Sequence, residues 1–165
     1  MDTTQEQHER AVGAAFIEWY NRQNNTEFRY HDRGADPPDL VYRSGSQELL
    51  LEITAAYYDA DDATMLWQNA RGVPGAKNIW IGKEPDQKLV DSLNTVLSKK
   101  CDKQYPANCI LVVHLNPHIT AAEELETLIT QIKVPVDHSF RGIYLGGMFP
   151  ISRNSRGGYQ WWKLA

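Results

Sequence analysis

Asp39, Glu52 and Thr54 are the residues whose types and surroundings suggest chemistry. They lie in Pro37-Pro38-Asp39-Leu40-Val41-Tyr42-Arg43-Ser44-Gly45-Ser46-Gln47-Glu48-Leu49-Leu50-Leu51-Glu52-Ile53-Thr54, where Asp39 follows two prolines and Glu52 is enclosed by leucines and an isoleucine. Desolvating an unpaired carboxylate costs of the order of several kcal/mol even after relaxation, so an acid in such a run calls for a cation, a donor network or a metal. Side chains alternate along a strand, which puts Glu52 and Thr54 on one face. On adjacent antiparallel strands joined by a short turn, Asp39 and Glu52 meet on one face and suit a hard divalent cation such as magnesium. Taken singly, Asp39 is an ordinary turn residue after proline and Glu52 an ordinary strand acid facing water. Their combination points to a site.

The elements that must position these residues follow from periodicity. Apolar residues Val12, Ala15, Phe16, Trp19 and Tyr20 predict an amphipathic helix over residues 6–21. Residues 26–30, 39–43 and 47–56 read as three consecutive strands, a meander punctuated by Gly34-Ala35-Asp36-Pro37-Pro38 and Ser44-Gly45-Ser46. A helix over residues 62–70 then runs into a loop with the apolar group Ile79-Trp80-Ile81. Leu89, Leu93, Val96 and Leu97 stripe a helix over residues 86–104, with Pro85 at its first position. The unbroken apolar run of residues 110–115 is the mark of a strand covered on both faces. A further helix is expected over residues 120–133, with Thr120 as cap and Glu123 completing a capping box. Strands follow at residues 140–145, 148–152 and 159–164, the last two a hairpin turning at Arg156-Gly157-Gly158. This order predicts one α/β domain over residues 1–165, a mixed sheet flanked by helices.

With Pro38-Asp39 ahead of a turn and Glu52-Ile53-Thr54 on the next strand, the sequence resembles the PD-(D/E)XK nuclease superfamily, over residues 6–116. The resemblance implies a restriction-endonuclease-like fold and metal-dependent hydrolysis of phosphodiester bonds, with magnesium or manganese as cofactor and DNA favoured over RNA as partner. Members open with a helix whose glutamate completes the metal site, and Glu9-Arg10-Ala11-Val12 is similar to that segment. At about 100° per residue Glu9 falls on the Val12-Phe16-Tyr20 side and Glu18 opposite, so the implied metal set is Glu9, Asp39 and Glu52, with Glu18 in reserve. Thr54 stands where the family carries its lysine. A hydroxyl orients water but cannot replace an ammonium, so the cation must come from elsewhere. Lys100 falls at about 20° on the wheel of its helix, inside the apolar stripe. The segment from Val96 to Tyr105 before a buried strand is similar to that of members with Glu-x-Thr. The implied catalytic set is therefore Asp39, Glu52, Thr54 and Lys100, with a snorkelling Lys100 as the plainer alternative. Gln68 resembles the glutamine of exonuclease-type members in placement only.

The remaining composition sets limits. Lys plus Arg number 17 against 21 acids, a net charge of −4, so no global field draws the chain to nucleic acid or anionic lipid. From His138 onward there are no acids, and Arg141, Arg153, Arg156 and Lys163 alternate with Tyr144, Phe149, Tyr159, Trp161 and Trp162. Arg153 and Arg156, on the hairpin tip, are the candidate phosphate contacts, against a reading of the segment as an aromatic closing hairpin. His114 reads as a core histidine, Cys109 as a small buried side chain, Cys101 and Cys109 together as lacking any metal-ligand spacing, and Glu48, Asp59, Asp61 and Asp62 as solvated acids. No apolar run reaches the roughly 20 residues of a membrane helix and the first residues are polar, so a cytoplasmic protein is expected. Oligomeric state is not legible. The missing lysine and negative charge also fit another class: a catalytically inactive relative acting as a protein-interaction or regulatory module.

Overall fold

Helix α1 (Thr4–Asn24) starts where Thr3 and Glu6 form a reciprocal capping box and ends at Asn25 in the left-handed conformation, φ 52°. The structure is a computed structural model and describes residues 3–58, 60–77, 82–115, 120–151 and 157–165. Strands β1 (Arg29–Arg33), β2 (Leu40–Ser44) and β3 (Gln47–Ala56) form the expected antiparallel meander. Helices α2 (Ala60–Ala70) and α3 (Pro85–Cys101) precede β4 (Cys109–Leu115), whose seven residues are all buried. After α4 (Ala122–Leu128) and a single 3₁₀ turn come β5 (Gly142–Phe149) and β6 (Gly158–Lys163). The sheet runs in sequence order from β1 to β6, parallel at β3–β4 and β4–β5 and antiparallel elsewhere. No described helix is long and apolar enough to cross a membrane.

Strand alternation divides the core. Leu49, Leu51, Ile53, Ile110 and Val112 face α1 through Val12, Phe16 and Tyr20, while Leu50, Ala56, Leu111 and Val113 face α3 through Leu89, Leu93 and Leu97. Gly13 sets how closely α1 lies on β2, because a Cβ there would collide with Leu40 and Tyr42. A hydrogen-bonded chain anchors the far end of α3. The Tyr58 hydroxyl donates to Thr120 Oγ1 at 3.0 Å, and Thr120 Oγ1 donates to Asp86 Oδ1 at 3.1 Å.

Several expectations need correction. The first strand lies at Arg29–Arg33 rather than residues 26–30, with a register shift between Tyr30 and Asp32. Residues 142–145 and 148–149 of the two expected strands belong to one strand, β5, and Pro150 and Ile151 to none. Gly146 and Gly147, which fall between the two expected strands, sit inside β5, where a Cβ would strike Trp161 or the Leu115 backbone. The cap of α4 is Ala121, whose N–H donates to Glu124 at 2.8 Å, and Thr120 is buried instead. Asp62, expected in solvent, is 1% exposed and accepts from the Tyr58 N–H at 3.0 Å. The apolar group of residues 79–81, Asp59 and the hairpin tip with Arg153 and Arg156 lie outside the described residues.

Candidate active site

The site begins where a ladder ends on one side. β2 starts at Leu40, paired with Leu51, so β3 beyond that point is bonded only to β4, through Glu52↔Leu111 to Ala56↔Leu115. The Ile53 N–H, which would continue the β2 ladder, donates instead to Asp39 Oδ2 at 2.7 Å. The register that pairs Leu40 with Leu51 sets Asp39 opposite Glu52, on the α3 side of the sheet. Both are buried, at 6% and 4% exposure, and Glu9 from α1 is buried at 5%. Glu18, by contrast, is exposed in an i,i+4 pair with Arg22, so the two glutamates face the sides that the helical wheel gives them.

Lys100 does not snorkel to bulk water. Its ammonium donates to Glu52 Oε1 at 2.6 Å, and the Tyr105 hydroxyl approaches the same oxygen at 3.2 Å. Burial, followed by the Glu52 charge, pushes the Tyr105 phenol well above its ordinary range, which keeps it a donor. Glu9 receives the Gln5 side-chain amide at 2.8 Å and lies 3.5 Å from Arg33, which also reaches Glu6 at 3.4 Å. Asp39 is raised from 3.8 to about 7, first by burial and then by the charges of Glu52 and Glu9, while the Ile53 N–H and Lys100 pull the other way.

Of these groups Glu9 and Lys100 border a cleft of about 390 Å³, whose wall also includes Thr54, Trp67 and Arg71; Asp39 and Glu52 lie behind that wall and do not line it. Thr54 is half-buried on the cleft wall, as alternation with Glu52 requires. Gln68 is exposed and does not border the cleft, although its α2 neighbours Trp67 and Arg71 do. His114 is buried, as its apolar strand foretells, and burial followed by the nearby His8 lowers it to about 3, so it is neutral. Cys109 is pushed up to about 12, chiefly by burial, and stays a thiol.

The donor set suits a hard divalent cation: three carboxylates, with Glu9 Oε2 and Glu52 Oε2 both buried and lacking a hydrogen-bond partner. Among the described residues, however, no three His, Cys, Asp or Glu side chains come together closely enough to hold a metal ion. Arg33 and Lys100 balance the acids in the arrangement seen. Sequence reasoning missed Arg33, Trp67 and Arg71. Nothing in a five-residue strand of exposed polar residues signals that its last arginine faces a buried glutamate. Of the C-terminal aromatics, Tyr144, Phe149 and Trp161 are buried in the core and Tyr159 is exposed.

The chain matches no family model, no curated protein and no solved structure.

Proposed function

We propose that this chain is a divalent-metal-dependent phosphodiesterase of the PD-(D/E)XK kind, with a restriction-endonuclease-like fold and DNA as substrate. The observation that carries the reading is the 2.6 Å contact of Lys100 with Glu52, beside Asp39. It brings an ammonium from α3 to the carboxylate whose own motif lacks a lysine. Glu9, Asp39 and Glu52 are the residues to hold magnesium or manganese. When bound, such an ion lowers the pKa of a water and neutralises charge on the scissile phosphate.

The chain's own residues do the rest. Lys100 sets a positive charge where the phosphate gains negative charge, in a partly desolvated cleft where that charge acts more strongly than in water. The Thr54 hydroxyl, on the Glu52 face and on the cleft wall, orients the attacking water. Asp39, hydrogen-bonded to the Ile53 N–H, keeps its carboxyl fixed against the strand, and Tyr105 does the same for Glu52.

The test is a nuclease assay with magnesium or manganese on single- and double-stranded DNA, beside Asp39→Ala. Cleavage by the native chain and its loss in the variant are expected. A second reading, a non-catalytic interaction module, is favoured by the pairing of Glu9 with Arg33 and Glu52 with Lys100. Metal binding at Glu52 without cleavage of any substrate would decide for it.

A further inference from the structure

Beside the cleft lies a smaller recess of about 110 Å³, walled by Ala55, Leu66, Trp67 and Ala70 with His8 and His114. The two cavities share His8, Ala55, Tyr57 and Trp67, so the recess adjoins the space that Glu9, Thr54 and Lys100 border. Its walls are aromatic and aliphatic. His8 meets Trp67 edge-on at 5.6 Å and His114 edge-on at 4.9 Å. His8 Nε2 is buried and has no hydrogen-bond partner. A buried polar nitrogen left open in this way is a group that a ligand edge satisfies.

We infer that this recess receives a single pyrimidine base of a single-stranded nucleic acid, next to the phosphodiester held in the cleft. The inference rests on the phosphodiesterase reading for what occupies the cleft and on the recess itself for the base. Size favours the ring: an enclosed apolar cavity of about 150 Å³ takes up benzene, and a recess of about 110 Å³ that opens into the cleft accommodates one six-membered ring better than the fused pair of a purine. Chemistry selects a base over a plain hydrocarbon, because His8 offers a hydrogen-bonding nitrogen among stacking walls. Arg71 borders the cleft with its guanidinium 5.8 Å from the Trp67 ring centroid, placed for the phosphate of the nucleotide whose base enters. A net charge of −4 gives the chain no broad field for tracking a duplex backbone, and a local stacking grip needs none. A base in the recess has left its stack, which a single strand allows at less expense than a duplex.

The experiment is fluorescence anisotropy in magnesium with nuclease-resistant phosphorothioate probes: labelled oligothymidylate, oligodeoxyadenylate and a mixed duplex. Oligothymidylate is expected to bind most tightly and the duplex least. Ala70→Phe fills the recess from an exposed rim position, and Trp67→Ala removes its largest wall. Each is expected to weaken oligothymidylate by about 5- to 100-fold and to abolish the preference over oligodeoxyadenylate. Should Trp67→Ala fail to fold by circular dichroism, Ala70→Phe decides alone. Equal affinity for the three probes, or native binding by Ala70→Phe, overturns the recess. Thymidylate-selective binding sensitive to Ala70→Phe, in a protein that cleaves nothing, leaves the recess standing and removes the hydrolase. Metal-dependent cleavage without pyrimidine preference does the reverse.

Discussion

Glu48 and Glu52 stand four residues apart on β3, on the same face of the strand, and each has a basic partner. Glu48 pairs with Arg43 across the β2–β3 hairpin at 3.1 Å, with side chains 39% and 49% exposed. Glu52 pairs with Lys100 at 2.6 Å, with side chains 6% and 21% exposed. The first half of β3 has β2 alongside and tolerates its acid in solvent. The second half has lost that neighbour, and the gap is filled by polar side chains from α1, the start of β2 and α3. An ion pair at a hairpin end is decoration on a sheet, whereas one in a gap between elements replaces the packing that a strand would have supplied.

Four measurements sharpen or break this contrast. Lys100→Met leaves a buried carboxylate unpaired and is expected to destabilise the fold by about 3–5 kcal/mol in urea denaturation. An unchanged midpoint would mean that Glu52 is hydrated. Asp39 sets the next effect. Its carboxyl titrates at about 7 in the fold against an ordinary 3.8, so the folded state holds a proton that the unfolded state releases. Stability is therefore full below the unfolded value and falls as pH rises from about 4 to about 7, by about 2–4 kcal/mol. Asp39→Asn keeps an acceptor for the Ile53 N–H and is expected to flatten that decline; a decline of native size in the variant would assign it to another group. Gly13→Ala forces α1 away from Leu40 and Tyr42, with an expected loss of about 1–3 kcal/mol and displaced Glu9. Arg43→Met completes the series at less than about 1 kcal/mol, because its pair is exposed and screened.

Much of this arrangement is legible in the residues. The boundaries of β3 match at both ends, and those of β2, β4 and α3 fall within a few residues, because continuous apolar runs and a proline at a helix start are strong local signals. The burial of Glu52 follows from its leucine neighbours, and the inward turn of Lys100 from its angle on the helix. Local pattern fails where contacts are distant. Gly146-Gly147 interrupts the strand pattern of the sequence, and only the closeness of Trp161 and the Leu115 backbone explains why β5 runs straight through it. Thr120 looks like a helix cap and is spent instead on Tyr58 and Asp86. Trp67 and Arg71, four residues apart on and just after α2, share a face that only the topology turns toward the cleft, and Arg33 reaches Glu6 and Glu9 from a separate strand.

The anchoring of α3 at Asp86 turns that helix into a ruler. Lys100 lies fourteen positions after the anchor, about 21 Å of helix rise, and the ammonium arrives at Glu52 only at that length and phase. Inserting or deleting one residue between them swings the lysine through about 100° and leaves the carboxylate without its counter-charge. Residues 87–99 are thus held to a fixed tally whatever their individual identities, and drift in this protein will show as substitutions there, never as gaps.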